Sequence, residues 1–520
     1  MFENAPIEPQ TWYRSTPILL LASLLFPPLG LVLLLTNPAA DPQKKIIGSL
    51  GIAALGVTYG LLIFGFPSAF VSSPGDGHYD DLDRQRAAQR ASEPLPPSQP
   101  AADPGASPNP TPAAANPGVA PAAPTVSAST AAKSVRNYWT EFRGPGRAGR
   151  YDETAVLTAW PKAGLRQLWK QPIGEGYSSF TIAEGRAFTL EKRRHQEATV
   201  AYDLSTGREL WTNLADAEFV EEQGNGPRST PTWDEGRLYA LGGTGELRCI
   251  DSRTGKLMWS RDTLKENGAR NLQWGQAVSP LVVDDKVIVL PGGSPGKSVV
   301  AYNKLTGAPA WKSLDDRQAY TSPMLVTLAG KRQILAVSAT RVVGLAIESG
   351  ALLWDYMWDT SMGINVSQPL IVDANRFFIS AGYSKGCALV EVTPNGQAFA
   401  ARKIWENIRM KTKFNSPVLY EGYVYGLDES ILSCIDVKTG EQKWKNGRFG
   451  YGQVLLASGH LIVISDEGEL VLVKATPEKF DEVARFTALE GRCWNYPAIA
   501  DGRLLVRNAT QMVCYDIAAQ

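Results

Sequence analysis

Two stretches near the start of the chain show no alternation of apolar and polar positions at all. Residues 16–36 read TPILLLASLLFPPLGLVLLLT and residues 46–70 read IIGSLGIAALGVTYGLLIFGFPSAF, both without a charged side chain. Each run predicts a helix long enough to cross a hydrocarbon layer of about 30 Å. Pro27 and Pro28 would kink the first helix, and Trp12, Tyr13 and Arg14 form an interfacial flank before it. A cleaved signal peptide is the competing reading of the first run, but its basic leader is weak and a second apolar run follows. Lys44 and Lys45 lie between the two runs, so the positive-inside rule puts that turn in the cytoplasm and both ends outside it.

Apolar patterning then disappears. Residues 71–135 are expected to form a disordered linker, since 91–133 consist mostly of Pro, Ala, Ser and Gly with almost no large apolar side chain. In polyproline geometry some forty residues would reach on the order of 100 Å.

From residue 136 to 520 the pattern changes to short runs with a period of two, separated by Gly turns. Between Trp211 and Trp259 these runs are STPTW, RLYALGG, ELRCID and KLMW, which predict four strands. The same order recurs before Trp169, Trp211, Trp259, Trp311, Trp354, Trp405 and Trp444, with Phe486 in an eighth register; by subtraction the spacings are 39 to 52 residues. Periods near 40 to 50 are the mark of propeller blades. Asp203, Asp251 and Asp436 are expected to fold back onto turn amides, and Gly207, Gly255, Gly307, Gly350 and Gly440 to supply positive φ. The Trp side chains are read as structural, packing between neighbouring blades.

The units AYDLSTGRELW at 201, CIDSRTGKLMW at 249, AYNKLTGAPAW at 301 and CIDVKTGEQKW at 434 resemble the Trp-docking repeat of the pyrroloquinoline-quinone (PQQ)-like propeller family; GLAIESGALLW at 344 matches more weakly. The segment WTEFRGPGRAGRYDE at 139 is similar to the lead-in of proteins with such repeats. The resemblance covers about residues 136–520 and implies an all-β, eight-bladed propeller. LRQLWKQPI at 165 would then complete a last blade that otherwise stops after three strands. Seven blades is the alternative, because the unit ending at Phe486 lacks the Thr-Gly-Trp signature.

Charge and chemistry narrow the function. Lysine plus arginine equals aspartate plus glutamate at 52 each, which argues against nucleic acid as a partner. Five scattered cysteines suggest neither a disulfide framework nor a zinc site, and Cys249, Cys434 and Cys514 occupy the repeat's small-residue slot. The long loops, 213–228 and 261–275 among them, fall on one face of the disc, where binding is expected. At the channel mouth on that face the pattern places Tyr177, Arg228, Trp274, Tyr320, Asn365, Lys413, Tyr451 and Trp494. They either hold an anionic or ring-bearing ligand or plug the channel. Asp216, Glu218, Glu221 and Glu222 are a solvated loop cluster or a set of calcium ligands.

The resemblance also implies a cofactor question, because quinoprotein alcohol dehydrogenases of this fold hold PQQ with calcium beneath an adjacent Cys-Cys pair. No two cysteines here are adjacent, and no catalytic residue or calcium ligand set is assigned. The expectation is therefore a propeller held outside the cytoplasm on two helices of a bacterial inner membrane, serving as a binding scaffold for an envelope protein or a small molecule. A PQQ-dependent oxidoreductase is the alternative.

Overall fold

The computed structural model describes residues 75–92 and 138–519, Gln397 excepted, together with Val32, Leu35 and Ser49. Eight antiparallel sheets form the blades of a propeller. In chain order they cover residues 181–215, 232–262, 281–313, 324–357, 370–407, 418–448 and 453–487, and the eighth combines 498–516 with β2 (Arg166–Pro172). Middle strands are buried on both faces, as in Arg237–Leu241, and outer strands alternate, as in Leu257–Asp262. That difference is the one expected when sheets stack radially: a middle strand is covered by both neighbouring blades, whereas an outer strand meets water on its rim.

The ring closes as the sequence predicts. Strand β2 pairs antiparallel with Gln511–Asp516, with Trp169 opposite Cys514 and Pro172 opposite Gln511. The seven-blade alternative fails because the unit ending at Phe486 keeps all four strands. There Phe486 takes the place of Trp, packing edge-on against Tyr515 of the eighth blade at 5.4 Å.

The repeat acts across blades. Trp211 Nε1 donates to Ser252 O of the next blade at 3.1 Å, and Trp259, Trp311, Trp405 and Trp444 repeat the contact on Lys304, Ile347, Val437 and Thr476. Gly255 explains the fixed Thr-Gly turn: its φ is 74°, and a Cβ there would lie 2.7 Å from Trp211. The glycine thus supplies both the left-handed turn and the seat for the preceding blade's indole. Asp251 Oδ1 accepts from the amides of Arg253 and Thr254, the Asx turn read from sequence. Trp354 departs from the rule, donating instead to Gln333 of its own blade at 2.6 Å, since the fifth blade has a longer hairpin in place of the Thr-Gly turn.

The cysteines are fillers: all five are buried and free, and burial pushes the Cys249 thiol up to about 11 and those of Cys434 and Cys514 up to about 12.

Two features depart from the expectations. Within the span read as disordered linker, residues Asp76–Ser92 form a helix, α1, with Tyr79 and Leu82 buried against the propeller. The lead-in, read only as part of a repeat domain, enters the channel. Its β1 (Arg150–Tyr151) adds a parallel fifth strand to the innermost strand of blade seven. The two apolar runs, 16–36 and 46–70, and the Pro/Ala-rich remainder of the linker lie outside the described residues. Among the described residues no helix is long and apolar enough to cross a membrane.

Candidate functional site

The innermost strand of most blades is preceded by a small polar residue, usually in Ser-Pro or Thr-Pro, and the structure shows why. Ser179 N donates to Thr230 Oγ1, Thr230 N to Ser279 Oγ, Ser279 N to Ser322 Oγ, Ser322 N to Gln368 Oε1 and Gln368 N to Ser416 Oγ, at 2.8 to 3.0 Å. From blade one to blade six, each backbone is thus tied to the next blade's side chain, forming a belt around most of the channel. Ser179 Oγ continues it to Tyr496 O at 2.6 Å across the closing seam. The signal was present in STP, VSP, TSP, SQP and NSP, but its meaning depends on neighbours that only closure brings together.

Below the belt, on the short-loop side, the channel is filled by RGPGRAG of the lead-in. Backbone φ is positive at Arg143, Gly144, Gly146, Arg147 and Gly149, so the segment coils tightly enough to fit. Arg143, fully buried, donates to Ser416 O (3.1 Å) and Pro417 O (2.7 Å) of blade six and lies over the Tyr496 ring. Arg147 donates to Ser279 O (3.0 Å) and Pro280 O (2.7 Å) of blade three and pairs with Glu141. Burial lowers the pKa of both guanidiniums from the ordinary arginine value. The plug therefore braces blades three and six across the channel through buried backbone carbonyls.

Above the belt, on the long-loop side, seven of the eight residues singled out from sequence lie in aromatic and cationic contacts. Tyr177 stacks on Trp494 at 5.5 Å, Trp494 meets Tyr451 edge-on at 6.2 Å, and Lys413 Nζ donates to Tyr451 OH at 3.2 Å. The Arg228 guanidinium lies 5.4 Å from the Tyr177 ring, and Trp274 packs on Tyr320 at 5.5 Å. Asn365 differs: it is buried, and its amide donates to Ser338 O and Trp358 O, which holds a loop together.

Sequence reading missed Phe219, Tyr383, Phe414 and Arg492. Phe414 packs 4.7 Å from Trp494, Arg492 lies 4.2 Å over that indole, Phe219 receives Arg228 at 4.4 Å and Tyr383 receives Lys413 at 5.7 Å. Phe414 directly follows Lys413 in sequence, so position was available as a signal; Phe219 sits inside a long loop whose path was not.

That loop, 216–226, is pinned at the mouth. Gln223 O accepts from Tyr177 OH and from Arg492 Nη1, and Arg228 donates to Gly224 O and Gly226 O. Two of the loop's acidic residues already have partners: Glu218 meets Lys192 (2.9 Å) and His195 (3.1 Å), and Glu221 meets Arg228 (3.7 Å). Hydrogen bonding from Lys192 in particular holds the Glu218 carboxyl below its ordinary pKa. Among the described residues no group of three or more His, Cys, Asp or Glu is placed to hold a metal ion. Around Trp494 the mouth is packed by Tyr177, Phe414, Tyr451 and Arg492.

Beneath the loop, Glu197 of blade one receives Gly243 N of blade two at 3.0 Å. Burial pushes its carboxyl up from the ordinary 4.5 to about 7, despite that hydrogen bond and the nearby Arg228. The folded chain therefore binds this proton more tightly than the unfolded chain. Its contribution, about 3 kcal/mol from the size of the shift, is complete below about pH 4.5 and is lost as pH rises through about 7. Urea midpoints measured from pH 5 to 8 are expected to fall across this window in the wild type and to fall less in Glu197→Gln; parallel profiles would refute the assignment.

Comparison with known proteins bears on the fold. The family described as "Outer membrane protein assembly factor BamB" matches residues 195–446. A relative of that description from Yersinia pestis is 21% identical over 254 residues, which cover 47% of this chain and 63% of the relative. Among solved structures, the quinohemoprotein alcohol dehydrogenase of Comamonas testosteroni superposes with a TM-score of 0.53 at 12% identity, covering 74% of this chain and 81% of that one. BamB of Moraxella catarrhalis gives a TM-score of 0.49 at 16% identity, with 68% and 99% covered.

Proposed function

Since this chain belongs to the PQQ-like β-propeller family, we propose that it is a protein-binding scaffold of the bacterial envelope that engages its partner through the long-loop mouth. The observation that carries this reading is the mouth itself. Arg228, Lys413 and Arg492 are set among Tyr177, Phe414, Tyr451 and Trp494, rings and guanidiniums being the side chains that anchor protein interfaces. The other end of the channel is filled by the lead-in. The name of the matched family, an outer membrane protein assembly factor, points to the same class of role. The apolar runs at 16–36 and 46–70 would anchor the chain, with the propeller outside the cytoplasm.

The alternative, a PQQ-dependent alcohol dehydrogenase, is supported by fold likeness alone, and fold does not assign chemistry. It predicts saturable quenching of tryptophan fluorescence by PQQ with calcium, together with dye-linked alcohol oxidation.

Photo-crosslinking in intact cells tests the scaffold reading. A benzophenone side chain at Val220, exposed in the mouth loop, is expected to give a discrete adduct with an envelope protein. The same group at Leu305, exposed on a short Thr-Gly turn of the opposite face, is expected to give none. Adducts only at Leu305, or the same adducts at both positions, would sink it.

A further inference from the structure

Helix α1 lies along the groove between the closing strand β2 and blade one. Its contacts are made by buried polar groups. Arg86, 5% exposed, reaches Glu191 (3.0 Å), Glu209 (2.9 Å) and Tyr202 OH (2.8 Å). Gln89 donates to Gln171 of β2 at 2.7 Å, and Leu82 is buried. At the long-loop end, Tyr79 OH donates to Glu175 Oε2 at 2.7 Å.

Glu175 is shared. Its other oxygen accepts from Asn225 Nδ2 at 3.3 Å, and Asn225 Oδ1 accepts from Glu221 N, inside the loop that covers the mouth. A second path runs beside it through the hairpin turn of blade one. Arg194 pairs with Asp80 and Asp83 of α1, and the next residue, His195, contacts Glu218 of the mouth loop.

We propose that α1 is a latch whose docking in the blade-eight/blade-one groove sets the conformation of the mouth loop 216–226, and so regulates access to the binding face. This rests on the mouth being the binding face. Two arrangements of one element suffice: with α1 seated, Glu175 and the 194–195 turn are fixed from the groove side and hold the loop down. With α1 released, Glu175 loses the tyrosine that orients it and the turn loses two carboxylates, so the loop loses its groove-side support and is left with its mouth-side bonds to Tyr177, Arg228 and Arg492.

Hydrogen exchange read by mass spectrometry on the full chain tests the coupling without any partner. Arg86→Glu places a carboxylate against Glu191 and Glu209 and is expected to release α1. Exchange in 216–226 should then rise about tenfold, while the blade-two to blade-three loop, 265–275, keeps its wild-type rate. Tyr79→Phe leaves Arg86 and Leu82 in place and removes only the hydroxyl on Glu175; a smaller rise confined to 216–226 is expected. Released α1 with 216–226 unchanged would overturn the proposal, as would α1 remaining protected in Arg86→Glu. Because no partner enters the measurement, a failed crosslink at Val220 and a failed latch are told apart.

Discussion

Replacing Arg143 by methionine is expected to destabilise the propeller by about 3–5 kcal/mol, because several buried carbonyls lose their donor at once. Methionine fills a similar volume, so the loss is one of hydrogen bonding rather than packing. The guanidinium, fully buried, donates to Ser416 O, Pro417 O and, less closely, Arg147 O and Ala148 O. Without it these carbonyls stay in the channel with no donor, each unmade bond costing about 1–3 kcal/mol. Lysine should recover only part of the loss, because an ammonium cannot span the same fork. Urea unfolding followed by tryptophan fluorescence measures it; a change under about 1 kcal/mol would show that the plug is not structural.

Trp169→Ala is the second large effect, expected at about 3–5 kcal/mol for truncating a buried indole. Trp169 is 6% exposed, donates to Leu204 O at 3.0 Å and lies over Gly207, where a Cβ would come within 2.6 Å of the ring. The same truncation at Trp259 removes an equivalent contact from an inner blade. The two differ in position: Trp169 sits on β2, which closes the ring, so its loss also frees the edge of Gln511–Asp516. Trp169→Ala should therefore show faster amide exchange at 511–516 and concentration-dependent aggregation, neither of which Trp259→Ala should show. Identical behaviour of the two variants would mean that closure does not depend on the indole.

The blades and their number were legible because their grammar is local. Asp251, Thr254 and Gly255 make one turn within five residues, and a turn that short forms in much the same way wherever it occurs. Closure was legible too, since three strands at one end and one at the other leave a single way to remove the edge. Register also brings residues such as Tyr177 and Trp494 together, because they hold equivalent places before their innermost strands. Asn365 shows the limit of that reasoning, since its amide turned to loop carbonyls that register does not reveal.

What the chain's local pattern could not supply is any structure held by groups distant in sequence. Helix α1, DGHYDDLDRQRAAQRAS, has almost no apolar face and reads as solvated charge. It is ordered because Glu191 and Glu209, more than a hundred residues away, pair with its arginine. Nothing local marks Arg143 and Arg147 as channel residues either; their partners are carbonyls of blades six and three, brought together only in the channel. Turns and strands follow from neighbouring residues, whose preferences are carried by the backbone itself. A buried charge is stable only beside its partner, and which groups become partners is known only once the ring has closed.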